Sequence, residues 1–287
     1  MKRLILLPLT AAAIAASAIT LQVSYDATTA GTMSVYKPQT RPMMLTIDGS
    51  RSKYFNTMSQ YVDSMMSNPT TAAQLREAQR AAQAVTNPDG SVSVDLTRGP
   101  AKVITLYIYK NLAENSAEVY DHISGVFGEG EAYVYPETDL AQPWEISDST
   151  KTIIGYECVK AECDWRGRRW TAWFAPEIPV QDGPWKLCGL PGLILEAYAD
   201  GTPFKFSATG IQQSDAPISE LFFKDEYARS TREKFMKEDY HNIDNRESLF
   251  QAQYPGARIE YRDDDGNPIE FKFEPFYHYP ETDLLKK

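Results

Sequence analysis

Four of the five tryptophans of this 287-residue chain, Trp165, Trp170, Trp173 and Trp185, fall within 21 residues. Each indole carries a large apolar face and one N–H donor, a combination suited to an apolar or stacking ligand. In an extended strand over 168–175, Trp170, Ala172 and Phe174 share one face, and Arg169, Thr171 and Trp173 the other. Rings on both faces mean that at least one meets something besides the main core: a covering helix, a ligand or solvent. The competing reading is that all of them fill a core. Arg166, Arg168 and Arg169 crowd the turn before this strand. Guanidinium groups grip carboxylates bidentately, so the cluster could clamp an anion. The plainer reading is a solvated hairpin tip. These four tryptophans and three arginines are the candidate ligand-binding residues.

Catalytic machinery is harder to find. The sequence contains no G-x-S-x-G, H-E-x-x-H, C-x-x-C or Walker motif, and nothing in it calls for a metal or cofactor. His122, His241 and His278 are scattered. Asp263-Asp264-Asp265-Gly266 lacks the ligand spacing of a calcium loop and reads as a hairpin turn. Three cysteines remain. Cys158 and Cys163, five apart in an extended segment, lie roughly 16 Å apart on opposite faces, too far to bridge each other. In an oxidising compartment the expected disulfide is Cys163–Cys188, with Cys158–Cys188 as its rival. A leftover Cys158 thiol could then act with a histidine.

The elements that must position these groups are legible from periodicity. Lys2-Arg3, the apolar run Leu4–Ala16 and the A-x-A site Ala16-Ser17-Ala18 form a secretory signal over residues 1–18. The expected mature chain, 19–287, begins without a cysteine to carry a lipid and reads as one domain. Alternating strands are expected near 19–28 and 43–47. Tyr54, Met58, Tyr61 and Met65 then fall on one helical stripe, predicting a helix over 52–66 capped by Ser50 or Ser52. A second helix is expected over 72–86. From residue 91 the chain is mostly β, with strands expected at 103–109, 151–164, 168–175, 193–199 and 203–211, and turns at Arg166-Gly167 and Asp200-Gly201. A charge-rich surface helix is expected near 224–240. Gly189-Leu190-Pro191-Gly192-Leu193-Ile194 reads as a type II turn launching a buried strand, with Gly192 at the position needing positive φ. One oddity stands apart: Tyr135-Pro136-Glu137-Thr138-Asp139-Leu140 recurs as residues 279–284.

The hexapeptide 189–194 and its surroundings resemble the GLPGLI family. The resemblance runs through Trp144-Glu145-Ile146, Ile154-Gly155-Tyr156, Arg166-Gly167-Arg168, Thr171-Ala172-Trp173-Phe174, Pro176-Glu177-Ile178-Pro179 and Asp182-Gly183-Pro184-Trp185-Lys186. It implies an exported Bacteroidetes protein with no assigned activity and no catalytic residues to transfer.

A net charge of −10 opposes nucleic acid and anionic membrane surfaces as partners. The expected fold is α+β: a strongly curved antiparallel sheet with two N-terminal helices packed on it. By analogy, a LolA-like half-barrel has that shape. The expected location is the periplasm or cell envelope, or outside the cell. Three functions compete. The first is a non-enzymatic carrier binding an apolar molecule or peptide in the concave face. The second is a Cys158-dependent hydrolase or thiol protein. The third is an interaction subunit of outer-membrane transport machinery.

Overall fold

A computed structural model describes residues 20–86, 88, 92–94 (backbone only), 98–126, 129–257 and 259–285. The expected signal sequence, 1–18, lies outside the described residues.

Strands β1 (Thr20–Thr29), β2 (Gln39–Asp48) and β3 (Arg51–Phe55) form a meander. Helices α1 (Thr57–Met66) and α2 (Pro69–Gln83) follow, then a short ribbon of β4 (Ala84–Thr86) and β5 (Val92–Val94). A second meander comprises β6 (Tyr107–Asn111), β7 (Ser116–Ser124) and β8 (Glu129–Thr138). A third comprises β9 (Glu145–Ile153), β10 (Tyr156–Trp165), β11 (Arg168–Ala175), β12 (Leu193–Ala199) and β13 (Lys205–Ser214). The chain closes with β14 (Ala228–Arg229), α3 (Arg232–Asp244), α4 (Arg246–Gln253), the ribbon β15 (Tyr261–Arg262) and β16 (Pro268–Ile269), and α5 (Pro275–His278).

Pairing of β1 with β13 and of β3 with β6 fuses the three meanders into one twelve-stranded sheet. Its order is β14-β8-β7-β6-β3-β2-β1-β13-β12-β11-β10-β9. The sheet is curved and does not close on itself. The fold is α+β. Every pairing is antiparallel except that of the two-residue β14, which runs parallel to β8, so the sheet is mixed.

Register explains why both faces are apolar. Leu45, Tyr54, Ile108, Val119 and Tyr135 stand opposite one another across five strands and belong to the main core on the concave side. Their neighbours Met44, Phe55, Tyr107 and Tyr120 form the next row and point the other way. There they pack with Tyr227 in a smaller cluster. A third row pairs Ala27 with Phe206, then Ala197, Ala172 and Ala161. Alanines in register leave depth above the sheet, and Trp170, Trp185 and Phe206 stack in the same core.

Several expectations need correction. Residues 51–55 are strand, not helix. The helix starts after Asn56, whose side chain accepts from Ser59 N. The Met58 and Tyr61 stripe is exposed, and α1 buries Ser59, Val62 and Asp63 instead. Asp63 accepts from the Tyr107 hydroxyl at 2.5 Å and pairs with Lys102, which ties the helix to β6. Residues 151–164 are not one strand: Ile154 and Gly155, both at positive φ, form a two-residue hairpin turn between β9 and β10. The expected turn at Arg166-Gly167 has the same form, with φ of 49° and 78°.

The hexapeptide is a turn of a different kind. Gly192 is not at positive φ; Gly189 is, at 88°. Gly192 N donates to Leu190 O at 2.8 Å, a three-residue turn rather than type II. A Cβ on Gly192 would sit 2.4 Å from Ala175 O, so close backbone approach excludes any side chain there.

The expected disulfide is not made: Cys158, Cys163 and Cys188 are three free, buried thiols. Cys163 stands opposite Trp170 within the sheet. Cys188 is fixed in the loop before the hexapeptide, where its N–H donates to Gln142 and its carbonyl accepts from Trp144. Backbone bonds hold the two in different places.

Candidate functional site

Above the concave face lies a cavity of about 350 Å³, bounded by the sheet, the segment 103–106, α3 and the C-terminal segment; residues 103–106, expected within a strand over 103–109, precede β6 rather than belong to it. Met43, Tyr54, Phe204, Phe206 and Trp185 line its floor and wall; Phe235, Met236 and Tyr279 lie on the opposite side. The charge-rich helix expected at the surface therefore has a second role. Helix α3 buries Phe235, Met236, Asp239 and Ile243, and three of these four face the cavity.

Trp170 and Trp173 separate as their odd spacing requires, while Trp165, Trp170 and Trp185 cluster. Trp170 is fully buried and stacks near Phe206, with centroids 6.3 Å apart. Trp185 is the one that lines the cavity, 5.6 Å from Trp170 and 6.2 Å from Phe206. Trp165 meets Trp185 edge-on at 5.8 Å. Trp173 stands on the other face of β11, where Lys151 Nζ sits 4.3 Å over its ring.

The arginines grip carboxylates, and the carboxylates belong to this chain. Glu137 and Glu281, the third residues of the two Tyr-Pro-Glu-Thr-Asp-Leu copies, converge on Arg166 and Lys186. Arg166 pairs with Glu137 Oε2 at 2.6 Å and also with Glu281. Lys186 Nζ lies 2.6 Å from Glu137 Oε1 and 3.2 Å from Glu281 Oε2. Arg232 of α3 adds Glu281 and Asp283 to the network. Arg168 donates to the carbonyls of Phe276 and Tyr279, the latter at 2.7 Å, and Thr282 N donates to Arg166 O at 2.8 Å. Thus the β10–β11 turn holds the C-terminal segment against the cavity. Among the described residues, Arg169 pairs with Asp164 and Glu162 alone, both on its own hairpin.

Charge in this region follows from burial and pairing together. Burial would raise the Glu281 carboxyl, but Lys186, Arg166 and Arg232 outweigh it and hold it at about 2. Burial would likewise lower Lys186, yet Glu137 and Glu281 keep it raised and charged. Elsewhere on the lining, burial pushes the Asp121 carboxyl up to about 6, against hydrogen bonds from Thr105 and His122. Burial also lowers His122 and His278.

Cys158 lies outside this arrangement. Its Sγ contacts Tyr156 O at 3.6 Å, and burial pushes the thiol up to about 11. Among the described residues, no group of three or more His, Cys, Asp or Glu side chains is placed to hold a metal. No helix among them is long and apolar enough to cross a membrane.

Sequence reasoning missed Arg41, Asp121, Asp239, Glu137 and Glu281 as cavity or network residues. The repeated hexapeptide was the one available signal.

Residues 166–196 match the model of a family described as a protein of unknown function (Porph_ging). No curated protein matches. Two crystal structures of PNGF-II are similar. The P21 form gives a TM-score of 0.51 at 13% identity, covering 77% of this chain and 33% of that one. The C2 form gives 0.49 at 14%, covering 78% and 33%. The chain thus spans a third of the length of PNGF-II. Identity this low speaks to the fold alone.

Proposed function

We propose that this protein is an exported, non-enzymatic carrier that holds an apolar molecule or peptide in the cavity over its concave sheet face. The observation that carries this reading is the cavity itself. Its 350 Å³ falls at the small end of the range for small-molecule sites, and Tyr54, Tyr135, Trp185, Phe204, Phe206, Phe235 and Tyr279 give it seven aromatic rings. Trp185 sits in that wall, supported from behind by Trp170 and Trp165. The N-terminal sequence 1–18 supports export to the cell envelope. The hexapeptide 189–194 falls inside the family-matched stretch 166–196, which supports reading the GLPGLI resemblance and that family as one.

A Cys158 hydrolase is the weaker alternative. A thiol pushed up to about 11 is scarcely ionised at neutral pH, and thiolate is the nucleophile. Cys158 is also absent from the cavity lining.

Native mass spectrometry of protein purified from its own envelope tests the carrier reading. A bound small molecule or peptide is expected, with Trp185→Phe reducing occupancy more than it lowers the melting temperature. Protein that is ligand-free under every growth condition, and that binds no apolar probe, would refute it.

A further inference from the structure

We propose that the cavity takes a single-chain amphiphile with an anionic head, and that Arg41 pairs with that head. The inference rests on the carrier reading above and adds the class of ligand.

Nearly all the charged groups on the lining are already engaged within the chain. Lys186 is held by Glu137 and Glu281. Asp239 accepts from Ser124 N at 2.6 Å and from the Tyr279 hydroxyl at 2.7 Å. Asp121 accepts from the Thr105 hydroxyl and from His122 N. His122 and His278 each donate to a backbone carbonyl at 3.2 Å, of Gly130 and Gly31. Arg41 also lines the cavity, and its guanidinium makes no hydrogen bond or ion pair with any described residue.

Its position is as informative as its lack of a partner among the described residues. Arg41 is half-buried on β2, opposite Ala27, and Ala27 in turn stands opposite the floor ring Phe206. The guanidinium therefore begins beside the apolar floor. A free cation at such a place keeps its hydration only until something displaces the water. An anion does so with two parallel charge-assisted bonds, whereas an uncharged head offers less and a cation is repelled. Of the three lining carboxylates, Glu281 is paired with Lys186 and Arg232, Asp239 accepts from Ser124 N and the Tyr279 hydroxyl, and Asp121 lies on β7, with β3 and β6 between it and β2.

Volume limits the rest of the molecule. An apolar cavity of about 150 Å³ encloses one benzene, so a cavity of 350 Å³ holds roughly twice that bulk, enough for one medium-length chain.

The test is isothermal titration of the protein with decanoate, decyl phosphate, decanol and decyltrimethylammonium, each below its micelle-forming concentration. Decanoate or decyl phosphate should bind about ten- to a hundredfold tighter than decanol, the range expected of a hydrogen bond to a charged group. Which of the two anions is tighter distinguishes a carboxylate from a phosphate head. Arg41→Gln should abolish the preference, bringing the anions to the affinity of decanol, and Arg41→Lys should restore part of it. Equal binding of all four probes, tightest binding of the cation, or an anion preference that survives Arg41→Gln overturns the head-group assignment and leaves the carrier reading standing. Failure of every probe to bind overturns the amphiphile assignment, and it overturns the carrier reading as well when protein from its own envelope is also ligand-free.

Discussion

Gly192 is constrained by distance, not by dihedral. Its backbone passes so close to Ala175 that a Cβ would lie 2.4 Å from the carbonyl oxygen and 2.9 Å from the Phe174 ring. Neither neighbour can yield easily, since Phe174 and Ala175 are buried in β11. Gly192→Ala should therefore destabilise by about 1–3 kcal/mol, the usual cost of overpacking a rigid site. Gly210→Ala is the control: Gly210 is not at positive φ, and a Cβ there would meet nothing within 4 Å. Denaturant midpoints would compare the two, and equal midpoints would show that the backbone at 192 moves freely. The same residue shows what the sequence could and could not disclose. Pro followed by Gly marks a turn reliably, but two different turn geometries share that pattern. Choosing between them needs the strand that packs behind. Arg41 was illegible for a related reason. A lone arginine at the start of an alternating strand looks like any solvated end, and only the β2–β1–β13 register places it in one row with Ala27 and Phe206.

At the level of elements, the two Tyr-Pro-Glu-Thr-Asp-Leu segments come together from opposite ends of the fold. The first ends β8 and the second follows α5. Their glutamates share Arg166 and Lys186, and their tyrosines both line the cavity. Glu137, Glu281 and Lys186 are all buried, so removing one charge strands its partners in a poorly solvated place. Glu137→Gln and Glu281→Gln should each cost on the order of 3 kcal/mol. Because both act through the same two cations, the double variant should depart from additivity by about 0.5–3 kcal/mol. Additive losses in urea unfolding would mean that the two copies act independently. Acid should reveal the same coupling. Glu281 is held at about 2, below the ordinary carboxylate value, so its contribution is present above that ordinary value and is lost as pH falls toward 2. Glu281→Gln should flatten the stability curve across that window. The sequence exposed the duplication but not the meeting, because the copies lie far apart in the chain and a salt bridge leaves no periodic trace. The β9–β10 turn was missed for a different reason. It places Ile154 at a φ of 43°, which a β-branched residue rarely adopts, so Ile154-Gly155 did not read as a turn.

Across the whole molecule, the sheet is the scaffold, and the cover over its concave face is assembled from the segment 103–106 and from two segments that arrive late in the chain, α3 and 275–285. The alternation and turn chemistry of residues 19–211 made the curved sheet and its α+β class legible in advance. The cover was not legible, because α3 reads as charge-rich and only its Phe235, Met236 and Asp239 face reaches the cavity. This division has a dynamic consequence. The strands of the main core are bonded on both sides by long antiparallel ladders, whereas 275–285 is held by ion pairs, a few backbone bonds at the β10–β11 turn and the side-chain bonds of Tyr279 to Asp239 and of His278 to Gly31. Segments held by few contacts open at lower free energy than the core. In hydrogen exchange, amides of 275–285 should exchange well before those of β1, β12 and β13, and α3 should fall between them. If a ligand enters under this cover, decanoate should slow exchange in 275–285 and α3 while leaving the sheet amides unchanged, since a bound ligand stabilises the closed form in proportion to ln(1 + [L]/Kd). Raising salt in the absence of ligand should have the opposite effect on 275–285, to the extent that screening reaches Arg232 and Asp283 at the edge of the network. Uniform protection across sheet and cover would rule out entry by local opening. The route to the cavity would then have to lie along the rim that Arg41 occupies.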